Sequence, residues 1–262
     1  MSPSSPLLFA CEDGLARLTL NRPDAANTLD QTMAEALFKA SIECDEDKSI
    51  RAVLLTGNGK LFCGGGDING FAAAGDRASR MAKELTTILN GAISRLMRMN
   101  KPLVVAVNGP AAGAGLSLAM LGDIVIAAPD AHFSMAYTAI GLTPDLGATW
   151  LLPRLVGLRR AQELALTNRR VMAAEAAQIG LITQVAQQDA LAEAEVMAKM
   201  LVHGATNALG RTRGLLARSF TTGLEEHMEL EARSIAEAAG GTEGQEGIHA
   251  FLKKTRPNFS GV

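Results

Sequence analysis

Leu61-Phe62-Cys63-Gly64-Gly65-Gly66-Asp67-Ile68 and Val104-Val105-Ala106-Val107-Asn108-Gly109-Pro110-Ala111-Ala112-Gly113-Ala114-Gly115-Leu116 decide how this chain is read. Each follows an apolar run and reads as a strand that ends in a tight turn. The second then becomes a helix from Gly113 to Leu121. Glycine lets the backbone bend there and lets a ligand approach with no Cβ in the way. Two such turns brought together offer two backbone N–H groups to one oxygen, and a helix N-terminus adds partial positive charge. The alternative is that the glycines only permit close strand–helix packing. Each segment alone suits that alternative; the pair, with the residues downstream, points to chemistry.

Outward from these turns the pattern alternates. Leu15–Leu20 alternates like a strand, Asn21-Arg22-Pro23-Asp24 is a turn signal, and Leu29–Cys44 has helical periodicity with Asp30 placed to cap it. Arg51–Thr56 reads as a buried strand. Gly70–Ser79 is small, polar and without period, which predicts a mobile loop before an amphipathic helix over Met81–Met99. Leu103–Val107 and Asp123–Ala127 are further strands. Strands alternating with helices indicate an α/β architecture. From about Leu158 onward nearly everything is helical, which suggests a core over 1–196 and a carboxy-terminal helical region over 197–262. That region has more apolar face than a lone extension needs, so it packs on the core or on another subunit.

Composition narrows the partners. The chain has 262 residues, 48% hydrophobic, with a formal net charge of −2 and 4% aromatics. A basic field for phosphate backbones and a stacking platform for bases are both lacking, so nucleic acid is not the expected partner. Three scattered cysteines, Cys11, Cys44 and Cys63, without CxxC spacing suggest free thiols in a reducing compartment. Four histidines, His132, His203, His227 and His249, lack metal-ligand spacing, and the last three fall in helical surface patterns. The opening segment MSPSSPLLFACEDG has no positive n-region, and no stretch suits a membrane span, so a cytoplasmic protein is expected. A dinucleotide fold is set aside: Gly113-Ala-Gly115-Leu-Ser-Leu118 lacks the third glycine of the fingerprint, and no phosphate loop occurs.

FCGGGDI and AVNGPAAGAGLSLAMLGDIVIA resemble the two signature regions of the crotonase superfamily, the enoyl-CoA hydratase/isomerase family. NRPDAANTLD, HFSMAYTAIGLTPDLGATWLLPRLVG, LALTNRRVMAAEAAQIGLITQV and GIHAFLKKTRPNF follow the same order, so the resemblance covers nearly the whole chain. It implies a spiral of ββα units with two roughly perpendicular sheets, and a carboxy-terminal helical region that builds trimers, often paired into hexamers. It implies an acyl-CoA thioester as ligand, with no cofactor beyond the coenzyme A that the substrate carries. It also implies an oxyanion hole made by the backbone N–H groups of Gly66 and Ala114.

Family hydratases hold water with two glutamates. The corresponding places here are Ser117 and Tyr137, and neither is a carboxylate. Asp145, in Leu142-Thr143-Pro144-Asp145-Leu146-Gly147, stands where some family isomerases carry their acidic residue. A 1,3-proton shift needs one base that moves a proton from C2 to C4, and the enolate between those steps needs the two N–H donors. The competing reading of Asp145 is an N-cap for the helical run ending near Leu152, with a lowered pKa. Tyr137 either contacts the acyl group, helps position Asp145, or is a half-buried tyrosine with its hydroxyl in water. Ser117 reads as a small helix-packing residue.

For coenzyme A, the resemblance implies that Arg22 lies near the nucleotide phosphates. It implies that the backbone of Ala25, Ala26 and Asn27 meets adenine and pantetheine, and that Gly64, Gly66, Asp67 and Ile68 line the same pocket. Asp67 alternatively orders its own turn. Phe251 and Lys254 match a pattern in which a neighbouring subunit closes over the nucleotide; for Arg22 and Lys254 the alternative is a solvated surface charge. Three other functions are weighed. Hydration by Asp145 alone is one. Aspartate-nucleophile dehalogenation is another, and it also wants a histidine base that Asn90 and its neighbours do not offer. The last is a non-catalytic acyl-CoA-binding or RNA-binding scaffold. The acyl group is expected to be selected by Gly70–Ser79 and the helix after it.

Overall fold

The computed structural model describes residues 5–261; Met1–Ser4, part of the amino-terminal stretch weighed as a leader, lie outside the described residues. The main sheet begins with an antiparallel hairpin, β1 (Leu7–Glu12) and β2 (Leu15–Leu20). Helix α1 (Gln31–Glu46) returns the chain to β3 (Ala52–Gly57), which pairs parallel to β2. Asp30 caps α1 as expected, its carboxylate accepting from Met33 N at 2.8 Å.

Helix α2 (Ile68–Ala74) and a 3-10 turn over Gly75–Arg77 occupy the segment expected to be a mobile loop. Asp67 caps α2, and the Phe71 side chain packs against the core, which anchors a helix too short to show a period in sequence. Helix α3 (Ala78–Arg98) then lies along α1 and leads to β4 (Leu103–Val107).

A second, three-stranded sheet starts at β5 (Ala111–Ala112), followed by α4 (Ala114–Ala119). The chain returns to the main sheet with β6 (Ile124–Ala127) and to the second with β7 (His132–Ser134). Helices α5 (Ala148–Val156) and α6 (Leu158–Thr167) precede β8 (Val171–Met172), which closes the second sheet. Helix α7 (Ala173–Gln178) and β9 (Gln184–Val185) complete the main sheet in the order β1-β2-β3-β4-β6-β9. The helical run expected to end near Leu152 continues to Val156, with Pro153 inside it.

Period-two alternation explains why both faces of the main sheet are covered. Val53, Leu55, Val105 and Val107 face the large core with Met33, Leu37, Leu89 and Leu96. Ala52, Leu54, Val104 and Ala106 face the other way, onto α8 (Ala190–Val202). Ala190, Ala194 and Ala198 form the buried stripe of α8 and let it approach the strands closely. The division expected between 196 and 197 therefore falls inside a helix that belongs to the sheet layer.

After Val202 come α9 (Thr206–Arg218), α10 (Leu224–Gly240) and α11 (Thr242–Lys253). Arg213 fastens α9 to the core. Its guanidinium donates to the carbonyls of Leu96, Met99 and Lys101 and pairs with Asp123 at 2.6 Å. Glu243 of α11 is buried and accepts from Asn207 N at 2.9 Å, capping α9 from outside. Arg213→Ala leaves buried carbonyls without donors and is expected to cost about 2 kcal/mol; limited proteolysis cutting first beyond Val202 is the expected signature.

The cysteines are free. Burial pushes the thiols of Cys44 and Cys63 up to about 12, whereas Cys11 is exposed. Native protein is expected to give one equivalent of rapid reaction with a disulfide reagent, and three after denaturation. His203 and His249 are exposed, but His227 is half-buried, with Nδ1 2.9 Å from Thr222 Oγ1. No helix among the described residues is long and apolar enough to cross a membrane.

Candidate active site

The two glycine turns meet. Ala112 N donates to Cys63 O at 3.0 Å, and Cys63 pairs with Ala111 as an isolated parallel bridge. A Cβ built on Gly115 would lie 2.1 Å from Cys63 O, so only glycine allows α4 to seat against the first turn. Gly65 and Gly113 adopt φ of +103° and +54°, a region that glycine enters at little cost.

Gly66 sits in a bridge with Leu29 whose bonds are made by Leu29 N and Asp67 N, leaving the Gly66 amide outside the ladder. Ala114 is the first residue of α4, where an amide has no intrahelical partner. Gly66 and Ala114 both line a cavity of about 400 Å³.

The same cavity receives Tyr137 and Asp145. Tyr137 is 8% exposed, and its hydroxyl donates to Asp145 Oδ1 at 2.6 Å. The hydroxyl is therefore engaged with a carboxylate rather than with water. Asp145 is no helix cap: α5 begins at Ala148 after Gly147, and Asp145 contributes only its backbone carbonyl, which accepts from Ala148 N at 3.0 Å. Burial raises the Asp145 carboxyl above its ordinary range, opposed by the Tyr137 hydrogen bond. This is opposite in sign to the cap expectation. Burial first, and the adjoining carboxylate second, push Tyr137 well above the usual tyrosine range.

The backbone holding this pair is strained. Ala136, just before Tyr137, has φ of 56°, and Leu146, just after Asp145, has φ of 52°. Non-glycine residues in this region cost about 1–3 kcal/mol each and persist where surrounding structure imposes them.

Most of the cavity wall is apolar. Ala82, Leu85, Thr86 and Leu89 present one face of α3, with Phe71 from α2 and Ile140 and Leu142 from the loop before Asp145. The expected selector region thus does line the cavity, but as helix. Leu29, Ile140 and Leu142 had no signal beyond being apolar. Ser117, read as a packing residue, is fully buried with Oγ 3.3 Å from Tyr137 Oη.

A second groove of about 350 Å³ shares Gly64, Gly66 and Ile68 with the first, and Asp24, Ala25, Ala26 and Asp67 also line it. Arg22 and Asn27 do not. The Arg22 guanidinium pairs with Asp30 at 3.0 Å and Asp67 at 3.3 Å and donates to Thr28 O, so it is neither solvated nor free. Asn27 is fully buried, and its amide donates to the carbonyls of Asn58, Leu61 and Phe62. Both shape the loop that forms the groove. Phe251, 82% exposed, and Lys254, at the end of α11, line neither space.

A family model for enoyl-CoA hydratase/isomerase matches residues 10–262. The chain belongs to that family. It is 38% identical to a 1,2-epoxyphenylacetyl-CoA isomerase of Escherichia coli (strain K12), over 97% of this chain and 98% of that protein. It is 37% identical to a probable enoyl-CoA hydratase of Rhodobacter capsulatus, over 97% of each. Its fold superposes on the crystal structure of an enoyl-CoA hydratase from Polaromonas sp. JS666 with a TM-score of 0.92 and 34% identity, covering 96% of this chain and 98% of that one. The fold is the crotonase fold, and the chain is an enzyme of the enoyl-CoA hydratase/isomerase family.

Proposed function

We propose that this family member is an acyl-CoA isomerase in which Asp145 carries the proton. The observation that carries the reading is the single carboxylate in the cavity, held by Tyr137 and pushed toward higher pKa by burial. The Asp145 carboxylate takes a proton from C2 of a 3-enoyl thioester, and the C–H electron pair moves toward the carbonyl oxygen. The N–H groups of Gly66 and Ala114 hold the resulting dienolate oxygen. The same carboxyl returns the proton to C4, giving the conjugated 2-enoyl thioester. A base of raised pKa suits a carbon acid better than an ordinary aspartate does. Nothing is oxidised or reduced, so coenzyme A enters only as part of the substrate.

The 1,2-epoxyphenylacetyl-CoA isomerase relative and the apolar wall with Phe71 support a ring-derived acyl group as an alternative to a linear enoyl chain. Hydration is the second reading, because a relative of similar identity is named a probable hydratase. Against it, Ser117 and Tyr137 leave Asp145 to activate water unaided. Formation of the conjugated thioester from a 3-enoyl-CoA, followed by ultraviolet absorbance, supports isomerisation. Consumption of a 2-enoyl-CoA with water uptake, and no conversion of the 3-enoyl isomer, overturns it.

The coenzyme is assigned to the groove along Ala25, Ala26, Gly64 and Ile68. Its phosphates need cations that Arg22, already paired, does not supply. Lys254 of a neighbouring subunit is the proposed cation, with Phe251 beside it closing over the nucleotide, and exposed Leu216, Phe220, Leu224, Ile235 and Leu252 support assembly through the carboxy-terminal helices. Sedimentation of a trimer or hexamer is the expected result; a monomer would remove this arrangement.

A further inference from the structure

Against Tyr137 and Asp145 lies a buried polar side chain that the proposed proton transfer does not use. Ser117 is fully buried, one turn along α4 from Ala114. Its Oγ lies 3.3 Å from Tyr137 Oη, 3.4 Å from Asp145 O and 3.5 Å from Gly113 O. The Tyr137 proton is committed, because at 2.6 Å from a carboxylate oxygen the phenol is the donor. The phenol oxygen is thereby left as an acceptor, and it is the nearest of the three acceptors around the serine hydroxyl.

We infer that Ser117 is a positioning residue: by donating to Tyr137 it aims that phenol at Asp145 Oδ1, which leaves Oδ2 to meet the substrate proton at a set distance from the Ala114 amide. This rests on the reading of Asp145 as the base. A carboxyl beside the strained Leu146 has no helix cap to orient it, and its backbone carbonyl is the only other part of it within reach of α4. The Ser117–Tyr137–Asp145 chain therefore ties the base to the helix that carries one oxyanion donor. A hydroxyl that receives a hydrogen bond also donates more strongly, so the serine reinforces the bond that favours charged Asp145.

The ionisable groups facing Asp145 are few. Tyr137 touches it, and Lys83 reaches the cavity mouth from α3. Arg98 of α3 and Arg218 of α9 line the space behind Leu146 and Gly147. None of the three cations changes in the variants below, so a shifted acid limb reports on the hydroxyl chain.

The test is a double-mutant cycle of Ser117→Ala and Tyr137→Phe. The rate is read by conversion of a 3-enoyl-CoA and by exchange of the C2 protons of a saturated acyl-CoA into deuterated water. Tyr137→Phe is expected to lower kcat roughly tenfold or more, and Ser117→Ala roughly fivefold, with KM unchanged. Both are expected to move the acid limb to higher pH. In the Tyr137→Phe background, Ser117→Ala is expected to have no further effect. A carboxyl carbon-13 titration gives the same comparison without turnover, with the Asp145 pKa higher in Ser117→Ala than in the parent.

An unshifted pKa and acid limb in Ser117→Ala, or equal effects of that substitution in both backgrounds, overturns the positioning role. The proposed function stands or falls separately: Asp145→Asn that keeps full activity removes the base itself, whatever Ser117 does.

Discussion

Replacing Asp145 with asparagine is expected to lower turnover of a 3-enoyl-CoA by about 10²–10⁴-fold, the usual worth of a positioned acid–base group. The substitution keeps the volume and the acceptor that meets Tyr137 Oη at 2.6 Å, so the cavity retains its shape. Affinity for an acyl-CoA, read by calorimetry, is expected to change by less than about threefold, because lost proton transfer is lost transition-state stabilisation, not lost binding.

The pH dependence follows from the sign of the Asp145 shift. Burial raises its pKa in the folded protein, and the reaction needs the carboxylate, so activity is present above that raised value. It is lost as pH falls through it, at a pH higher than an ordinary aspartate would give. An acid limb at or below the range of a free aspartate, or an Asp145→Asn enzyme with ordinary activity, would sink the assignment.

Gly115→Ala is expected to damage both the fold and the site. The added methyl would stand 2.1 Å from Cys63 O and 2.8 Å from Cys63 C and Cβ, inside backbone that cannot turn away. Either α4 withdraws from the first glycine turn or the turn opens. Overpacking of this kind costs about 3 kcal/mol, and the separation also spreads the Gly66 and Ala114 amides. Removing one donor from such a pair typically costs about 10²–10³-fold in kcat. Chemical denaturation and turnover should therefore both change.

Gly214→Ala in α9 is the control, since its added methyl meets nothing within 4 Å. It is expected to raise stability by about 0.5–1 kcal/mol through helix propensity. Equal stability for the two variants would mean that α4 does not depend on that contact.

The sequence carried the periodic parts of the fold. The cap of α1 by Asp30 and the five residues of β4 are local features, set by neighbours within a few positions, and both appear in the structure. The stretch after Leu158 is mostly helical, but the two-residue strands β8 and β9, too short to show a period, interrupt it and complete the two sheets. The meeting of two glycine turns was legible as well, because positive φ favours glycine at Gly65 and Gly113 and the close approach of Cys63 O requires it at Gly115.

Short elements were not legible. Helix α2 spans seven residues, and its stability comes from the Asp67 cap and from Phe71 against the core, neither of which has a period. Arg22 illustrates a second limit. Its charge reads the same whether it meets phosphate or carboxylate, and only the fold brings Asp30 and Asp67 to within 3.3 Å of it.

By itself, the sequence determined the α/β alternation, the glycine turns and the presence of one acidic residue at position 145. Tertiary structure decided what that residue is. Tyr137 lies eight positions away and Ser117 twenty-eight, and no local rule pairs them with Asp145. Folding brings a hydroxyl to the carboxylate and takes water from it. Desolvation and that one hydrogen bond act in opposite directions on its proton affinity, and both depend on distances that exist only in the folded chain.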